Sequence, residues 1–394
     1  MSTFEVIKQY ADALEPELKA LSIAIHDHPE LGEQEVFACQ QHCALLEKYG
    51  FQVEKNFTGL PTAFKATYRS AKPGPTIAFL AEYDALPGIG HGCGHSILGA
   101  VSTGAGIVAK QLLEQTGIGG VIEVYGTPAE ETNGNKALMA DAGAFDQVDA
   151  AMMTHPSDNY YRSGSSLGIV PLRFEFFGKT AHAAACPEMG INALHAVISL
   201  FNNISALREH FQPDARVHGV IKDGGKAANV VPDYTMAEFY VRADKKSYLE
   251  KLVGQVKNCA EAAALSNGAK VKISNFEACY DNMITNEALS DLFTEKLLEV
   301  GVPQVLDARP SKGSTDAGNV SQRCPMIHGH FSISDHGSVP GHTVEFAACA
   351  ASDYAHQQMM LNVRAFAMSA YELITKPELL QKVKDEFKHA MENR

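Results

Sequence analysis

The chain has 394 residues, which is too long for one ordinary hydrophobic core and predicts two or three domains. Its 33 basic and 46 acidic residues give a formal net charge of −13, which argues against a general nucleic-acid-binding protein or a binder of anionic membranes. No run approaches the roughly 20 apolar residues of a membrane span, and the N-terminus lacks the basic and apolar stretches of a secretory signal. The eight cysteines are scattered without a CxxC pair, which favours a reducing, cytoplasmic setting over a disulfide framework.

Helix and strand patterns alternate over the first part of the chain. The first 50 residues predict helices, since Ser2 and Glu5 fit a capping box and 34–49 has apolar residues at helical spacing before Gly50. Strands and helices then alternate, with strands predicted at 76–81, 121–127 and 149–154 and helices at 96–114 and 135–143. Such alternation is typical of a mostly parallel sheet that is covered by helices on both faces.

The pattern changes near residue 165 and predicts a second domain. Strand, helix, strand, strand, helix and strand follow one another at 167–177, 190–209, 216–222, 234–243, 246–266 and 269–275. This β-α-β-β-α-β order is that of a ferredoxin-like α+β domain. The earlier alternation resumes after about residue 282. We therefore predict a ferredoxin-like domain of residues 167–281 inserted into a larger α/β domain of residues 1–166 and 282–394.

The segment GHGCGHS, residues 90–96, is the first candidate for a metal site. Cys93 and His95 stand in a glycine-rich turn after the predicted strand 76–81, and ligands bind at this end of the strands in α/β sheets. Thiolate and imidazole both bind zinc-like ions, and glycines allow the chain to turn tightly around an ion. A glycine turn with a buried cysteine and an incidental histidine explains the two residues equally well.

Two adjacent carboxylates follow the next strand. Glu130 and Glu131 stand in TPAEET, residues 127–132, where one carboxylate can bind a cation and the other can take a proton from a water. The alternative is an acidic helix N-terminus that is stabilised by the helix dipole, and it is favoured when the pair is considered alone.

Two further histidines strengthen the metal hypothesis. His155 ends a strand in MMTHP, and His342 stands just before a helix in GHTVEF. A lone histidine is more often an ordinary surface or core residue than a ligand. However, three successive strand ends, at 93–95, 130–131 and 155, carry ligand-type side chains, and such ends share one edge of a parallel sheet.

The set and order of these motifs resembles the M20 metallopeptidases, the superfamily of two-metal aminoacylases and carboxypeptidases. The resemblance extends from about residue 20 to 350 and rests on HDHPELGEQE, AEYDALPGIGHGCGHS, TPAEET, MTHP, GKTAHAAACPEMGINAL, GGKAANVVPDYTMAEFYVRA, GSTDAGN and GHTVEF. It is strongest for the amidohydrolase branch with Cys in place of a bridging Asp, which includes aminobenzoyl-glutamate hydrolases, hippurate hydrolases and related dipeptidases. The resemblance implies a metal-binding catalytic domain with an inserted lid and dimerisation domain.

The resemblance also implies roles for individual residues. Two divalent ions per subunit, zinc, manganese or cobalt, are expected to bind to Cys93, His95, Glu131, His155 and His342. Glu130 is the implied general base, and Asp84 is the carboxylate that steadies the site. In the inserted domain, the implied catalytic and substrate-binding residues are His182, Asn229 and Arg242. Two departures from the branch bear on metal preference and occupancy, namely Ser96 and Glu82.

Together, the residues and the resemblance predict a cytoplasmic metallo-amidohydrolase. Its expected substrate is a small amide with a free carboxylate, such as an N-acyl amino acid, a dipeptide or an aminobenzoyl-glutamate-like conjugate. Arg242 suits that carboxylate, because a guanidinium can grip it with two hydrogen bonds. The resemblance further implies a homodimer paired through the lid domain, in which His182 completes the site of the other subunit. Neither nucleic acid nor membrane is expected as a partner.

Two alternatives remain open from the sequence. A catalytically silent, metal-stabilised binding or regulatory protein would keep the fold without turnover, although Glu130 and all five ligand positions are present. A cysteine hydrolase with Cys93 as nucleophile and His95 as base would leave the two carboxylates unexplained. His91 is a candidate for an additional metal ligand, although a loop histidine is the simpler interpretation. Three further histidines are candidates for substrate contact, namely His328, His330 and His336.

Overall fold

The structure is a computed structural model, and it describes residues 2–309 and 313–392. The described residues form two compact units, the larger of 2–165, 283–309 and 316–392 and the smaller of 166–282 and 313–315. The segment 313–315 joins the smaller unit through two hydrogen bonds. The Leu167 amide donates to the Gly313 carbonyl at 2.9 Å, and the Arg242 guanidinium donates to the Ser314 hydroxyl at 3.1 Å.

The elements of the two units are numbered in chain order. The strands are β1 (Gln52–Lys55), β2 (Phe64–Arg69), β3 (Thr76–Ala81), β4 (Val121–Gly126), β5 (Ala150–Ser157), β6 (Gly168–Phe177), β7 (Arg216–Asp223), β8 (Tyr234–Ala243), β9 (Lys270–Ser274) and β10 (Met326–Ser332). The helices are α1 (Thr3–His26), α2 (Val36–Lys48), α3 (His95–Thr116), α4 (Asn135–Asp141), α5 (Ala193–Leu207), α6 (Lys246–Asn267), α7 (Glu287–Glu299), α8 (Ala317–Ser321), α9 (Val344–Ala350), α10 (Asp353–Thr375) and α11 (Pro377–Glu392).

The larger unit contains a six-stranded sheet of order β1-β2-β4-β3-β5-β10. Strands β4, β3, β5 and β10 are parallel to one another, and β2 and β1 form an antiparallel extension at one edge. The predicted α/β class with a mostly parallel sheet is confirmed. The sequence pattern does not predict β1, because this strand is short and mostly exposed and so lacks the apolar run that identifies the inner strands.

Helix α3 is the central helix of the larger unit, and α1 and α10 pack against it. Gly104 permits the close approach of α1, since a Cβ at this position would lie 2.5 Å from Leu18 Cδ1. By length and composition α3 could span a membrane, yet 94% of the qualifying window is buried inside the protein. The expectation that no segment is apolar enough for a span is therefore corrected: α3 is apolar enough, and its apolar surface forms core.

The smaller unit is a four-stranded antiparallel sheet of order β7-β8-β6-β9 with α5 and α6 packed on it. Its chain order, β6-α5-β7-β8-α6-β9, confirms the predicted ferredoxin-like arrangement. Residues of β6 and β8 such as Leu172, Phe174 and Phe239 lie in the core that the sheet forms with the two helices. Strand β7 is one edge of the sheet and exposes Val220 (57%) and Ile221 (42%).

Candidate active site

Three parallel strands bring candidate ligands to one edge of the larger sheet. Because β3 lies between β4 and β5, residues near the carboxyl ends of these strands meet there. Cys93 lies in the turn before α3, and His95 is the first residue of α3. Glu130 and Glu131 follow β4, and His155 lies within β5.

Cys93 belongs to two groups of ligand-type atoms. In the first group, its Sγ and one ring nitrogen each of His95 and His155 all lie within 4.8 Å of one another. In the second group, its Sγ, a Glu131 carboxylate oxygen and a His342 ring nitrogen meet the same limit. The two groups therefore share the Cys93 thiol.

Asp84 orients two of these candidate ligands with one carboxylate. Its Oδ1 lies 2.8 Å from His95 Nδ1, and its Oδ2 accepts a hydrogen bond from the Glu131 amide at 2.9 Å. His155 is oriented in a similar way, since its Nδ1 lies 2.8 Å from the Pro156 carbonyl oxygen. Both histidines therefore carry a proton on Nδ1 and leave Nε2 as the atom for a metal ion.

His342 is held beside the cysteine turn by its backbone. Its amide donates to the Gly92 carbonyl at 2.9 Å, and its φ is 62°, an uncommon conformation for a non-glycine residue. Its Nε2 lies 3.6 Å from Glu131 Oε1, and its side chain is 61% exposed. The residue therefore brings an exposed ring to the second ligand group.

Buried polar atoms at the site lack hydrogen-bond partners among the described residues. These atoms are His95 Nε2, Glu131 Oε1 and Glu82 Oε2. His95 Nε2 and Glu82 Oε2 approach to 3.2 Å without forming a hydrogen bond. Because an unpartnered buried polar atom is costly, and because sulfur, nitrogen and oxygen donors converge here, the residues fit a divalent cation.

A buried lysine lies behind the ligands. Lys136 Nζ forms ion pairs with Glu82 Oε1 at 2.6 Å and with Asp316 Oδ1 at 2.7 Å, and all three side chains are buried. Glu82, one of the two departures noted in the sequence, is thus neutralised from within the protein. Sequence reasoning missed Lys136, because lysine is normally a surface residue and no local pattern marks a buried one. It also assigned no role to Asp316, which entered only as part of the GSTDAGN segment.

Glu130 is surrounded by further carboxylates. Its carboxylate oxygen lies within 4.8 Å of oxygens from Glu82 and Asp316. Burial raises the pKa of Glu130 well above its usual value; Glu82 and Asp316 raise it further, and Lys136 opposes them. A carboxyl group in this environment holds a proton more readily than one in water.

The pKa values of Cys93 and His95 are shifted as well. Burial raises the pKa of the Cys93 thiol, and Glu131 adds to this effect. Burial alone would lower the pKa of His95, but the carboxylates of Glu82 and Asp84 raise it to about 10. A divalent cation in the site would favour thiolate and neutral imidazole instead, which are the forms that bind metal.

Two histidines on β10 lie beside His155. His330 pairs with His155 in the register of β10 and β5, and the ring centroids of His328 and His330 are 5.8 and 6.0 Å from that of His155. Burial lowers the pKa of His328 to about 3 and that of His330 well below its usual value, so both rings are neutral at pH 7. Neither belongs to a ligand group among the described residues, and their contact with substrate stays a prediction.

The remaining candidates of the larger unit lie outside the ligand groups found among the described residues. His91 is buried, and its Nε2 lies 3.0 Å from the Ile25 carbonyl oxygen, which favours the simpler interpretation of a loop histidine. The His336 side chain is 81% exposed. Ser96 is buried in the first turn of α3, and its hydroxyl has no hydrogen-bond partner in the described part of the chain.

His182 and Asn229 belong to the smaller unit. His182 Nδ1 accepts hydrogen bonds from the amides of Ala184 and Ala185 at 3.3 and 3.2 Å, so the proton of a neutral ring lies on Nε2. The Asn229 carbonyl accepts from the Ala183 amide at 3.0 Å, which ties it to the segment that carries His182.

Arg242 also belongs to the smaller unit and lies near the end of β8. Its Nη1 donates to the Ser314 hydroxyl at 3.1 Å, and its guanidinium lies 5.7 Å from the centroid of the Tyr240 ring. No ion pair of Arg242 is found among the described residues, and burial lowers the pKa of its guanidinium.

Comparisons with known proteins give the family. Residues 165–267 match the peptidase dimerisation domain of the M20 family. The chain is 35% identical to the Xaa-Arg dipeptidase of Mus musculus, over 98% of its own length and 93% of that protein. It is 33% identical to one of the p-aminobenzoyl-glutamate hydrolase polypeptides of Escherichia coli K12, over 76% of its own length and 66% of that protein.

Two solved structures have the same fold. An aminobenzoyl-glutamate utilization protein from Klebsiella pneumoniae has a TM-score of 0.71 at 21% identity and covers 92% of this chain and 97% of its own. A dinuclear metal binding peptidase of the M20 family from Bacillus subtilis has a TM-score of 0.64 at 21% identity and covers 90% of this chain and 98% of its own.

The solved structures show that an α/β unit with an inserted ferredoxin-like unit is the fold of this class of proteins. The relative that is 35% identical over 98% of the chain shows the family, and the chain belongs to the M20 peptidases. The resemblance predicted from the motifs is thereby confirmed. The predicted enzyme class is confirmed as well, since these relatives are named a dipeptidase and a p-aminobenzoyl-glutamate hydrolase.

Proposed function

We propose that the chain hydrolyses an amide bond in a small substrate with a free carboxylate, such as an N-acyl amino acid, a dipeptide or an aminobenzoyl-glutamate-like conjugate. The observation that carries this proposal is the Cys93 thiol, which is shared by two groups of ligand-type atoms. The relatives support the reaction class, because two of them are named a dipeptidase and an aminobenzoyl-glutamate hydrolase.

Two divalent metal ions per subunit fit the donor set. Cys93 would serve both ions, with His95 and His155 as the other ligands of one and Glu131 and His342 as those of the other. Thiolate and imidazole suit zinc, and the carboxylate also admits manganese or cobalt. When bound, such ions polarise the scissile carbonyl and lower the pKa of a water molecule.

Glu130 is the general base of the proposed reaction. It takes a proton from the attacking water and returns it to the leaving amine. Its carboxylate lies within 4.8 Å of atoms of both His95 and Glu131, which gives the proximity that this role needs. Asp84 keeps His95 and Glu131 in place through the hydrogen bonds of its two oxygens.

The smaller unit supplies the substrate-binding residues of the proposal. Arg242 binds the free carboxylate of the substrate, and Asn229 contributes a further polar contact. His182 donates a hydrogen bond from Nε2 to the oxyanion that forms on the carbonyl. This role is supported by the hydrogen bonds that Nδ1 accepts from two backbone amides, because they leave the proton of a neutral ring on Nε2.

A homodimer paired through the smaller unit is part of the proposal, with His182 acting at the site of the other subunit. The match of residues 165–267 to a dimerisation domain supports it, as do the exposed Val220 and Ile221 on an edge strand. A cytoplasmic location is also proposed, because the eight cysteines are scattered along the chain without the spacing of a disulfide framework. The net charge of −13 is the basis for proposing no nucleic-acid or membrane partner.

A catalytically silent binding protein of the same fold is the alternative. The partly exposed Glu130 beside the ligand groups favours the enzyme, because a silent protein has no use for a base in that place. Turnover of any substrate in the proposed class would exclude the silent protein.

Metal content of two variants tests the donor set. We predict that Cys93→Ser binds markedly less zinc than the parent protein, because the thiol serves both groups. His342→Ala should lose mainly the ion of the second group. Elemental analysis after dialysis against limiting zinc gives the measurement.

Cys349→Ser and His336→Ala are the matched controls, because neither residue belongs to a ligand group and both are at least partly exposed. Both controls should keep the metal content of the parent. Full metal content in Cys93→Ser and in His342→Ala would contradict the assignment.

A further inference from the structure

The connection between α1 and α2, residues 27–35, contacts the turn that follows β4. At its middle, Leu31 forms a parallel bridge with Ala85, and the Ala85 amide donates to the Glu30 carbonyl at 2.8 Å. The Glu30 side chain accepts hydrogen bonds from two amides in the first turn of α2, both at 3.0 Å. The connection is therefore fixed both to the segment after β3 and to α2.

Glu35, the last residue of this connection, is fully buried and points at the turn after β4. Its Oε1 accepts a hydrogen bond from the Ala129 amide at 2.7 Å, and its Oε2 accepts one from the Thr62 hydroxyl at 3.0 Å. Ala129 directly precedes Glu130 and has a φ of 63°, in the left-handed region that non-glycine residues rarely adopt. Such a conformation persists only where the surrounding structure holds it.

The same turn is also held by Asp84, whose Oδ2 accepts a hydrogen bond from the Glu131 amide at 2.9 Å. Glu130 therefore lies between two anchored amides, each bound by a different carboxylate. Gly32 packs on the turn as well, since a Cβ at this position would lie 2.1 Å from Thr132 Oγ1. The connection leaves the turn no room to shift towards it.

We infer that Glu35 is a positioning residue, which holds the Glu130–Glu131 turn in the conformation that the reaction needs. The inference rests on the proposed function, in which Glu130 takes the proton. The rival is a carboxylate that only stabilises the fold. Against the rival, burying a carboxylate is costly, and besides the Thr62 hydroxyl this one binds the amide of the left-handed residue next to the base.

Two substitutions of Glu35 separate these interpretations. Glu35→Gln keeps an oxygen for the Ala129 amide, and its NH₂ group can donate to the Thr62 hydroxyl, which also accepts. Glu35→Ala leaves the amide without its acceptor. We expect Glu35→Gln to keep kcat within a factor of about three. Glu35→Ala should lower kcat about 10²-fold with little change in KM, the size expected for a displaced catalytic group.

Hydrogen exchange of the peptide 126–134 in metal-free protein reports on the turn without any turnover. Exchange of the Ala129 amide should be about tenfold faster in Glu35→Ala than in the parent, and unchanged in Glu35→Gln. Asp149→Ala is the matched control, because it also removes a carboxylate that accepts a hydrogen bond from a backbone amide. Asp149 Oδ2 accepts this bond from Thr76 at 2.7 Å, at the end of β3 that lies away from the candidate site. This control should lower stability but leave kcat and exchange of the turn unchanged.

Glu130→Gln separates a failure of this inference from a failure of the proposed function. If Glu130→Gln loses turnover while Glu35→Ala behaves like Asp149→Ala, the inference is overturned and the proposed function stands. If Glu130→Gln turns over like the parent, the proposed base is wrong and the inference falls with it. Should Glu35→Ala fail to fold, Glu35→Leu carries the same expectations, because it fills similar space without an acceptor.

Discussion

Lys136 neutralises two buried carboxylates beside the candidate metal centre, at 2.6 Å from Glu82 and 2.7 Å from Asp316. Removing one partner of a buried ion pair typically costs about 3–5 kcal/mol, because a charge is left unpaired in a medium of low dielectric. We predict that Lys136→Met lowers the free energy of unfolding of the metal-free protein by about this amount. Urea denaturation followed by circular dichroism gives the measurement.

Lys55→Met is the control for this prediction. The ion pair between Lys55 and Glu47 spans 2.8 Å, but its side chains are 52% and 46% exposed. Exposed pairs contribute roughly 0–1 kcal/mol, so this variant should unfold almost like the parent. An equally small loss in Lys136→Met would mean that the two carboxylates do not depend on the lysine.

At the residue scale, the sequence identifies ligand-type residues but not the charges behind them. Cys93 and His95 stand in a glycine-rich turn after a recognisable strand, so their type and position can be read locally. Lys136 is different, because its environment is made by segments that are distant in the chain. Its two partners, Glu82 and Asp316, stand 54 positions before it and 180 after it.

At the scale of elements, the edge strand β7 carries the prediction for assembly. An exposed edge strand with apolar side chains favours pairing with another chain, and a lysine on such a strand disfavours it. We predict that Val220→Lys shifts the protein from twice the mass of the 42.5-kDa chain towards that of the single chain. Sedimentation velocity over a range of concentrations gives the measurement.

Leu265→Lys is the control for the edge strand, because Leu265 is 85% exposed but lies near the end of α6 rather than on β7. This variant should assemble like the parent. A parent protein that sediments as a single chain at all concentrations would contradict the proposed dimer. A Val220→Lys variant that keeps the parent's mass would instead remove β7 from the interface.

Elements with strong local signals are predicted closely from the sequence. The strand predicted at 76–81 is β3 (Thr76–Ala81), and the predicted capping box is formed, with Ser2 and Glu5 joined by hydrogen bonds of 2.7 and 3.3 Å. Strand β1 has no such signal, since its four residues are mostly exposed and it is fixed by antiparallel pairing with β2. Pairing between strands is a tertiary effect that local patterns do not record.

At the scale of the whole molecule, the sequence predicts both fold types, and the motifs give the family. The positions of the ligands follow from sheet topology, because β3 must lie between β4 and β5 for the three strand ends to meet. The alternation of strands and helices predicts a parallel sheet but not this strand order. The contact between HDHPELGEQE and the turn after β4 could not be predicted either. Its Glu35 accepts a hydrogen bond from the Ala129 amide, which lies 94 positions further along the chain.

The two units of the chain carry different residues of the proposed function. The larger unit holds the metal ligands, the base and the residues that orient them, whereas the smaller unit holds the groups assigned to substrate. The ferredoxin-like unit alone therefore lacks the donors for hydrolysis, and the central claim concerns the larger unit: amide hydrolysis depends on divalent ions held around Cys93.

The most direct test of this claim is the turnover of metal-stripped protein as zinc, manganese or cobalt is added back in measured equivalents. The assay panel comprises N-acyl amino acids, dipeptides and aminobenzoyl-glutamate. We predict that the stripped protein is inactive, that hydrolysis returns and saturates near two equivalents per subunit, and that Cys93→Ser does not recover under the same conditions. Hydrolysis that persists at the parent's rate after complete stripping, or that recovers fully in Cys93→Ser, would contradict the account.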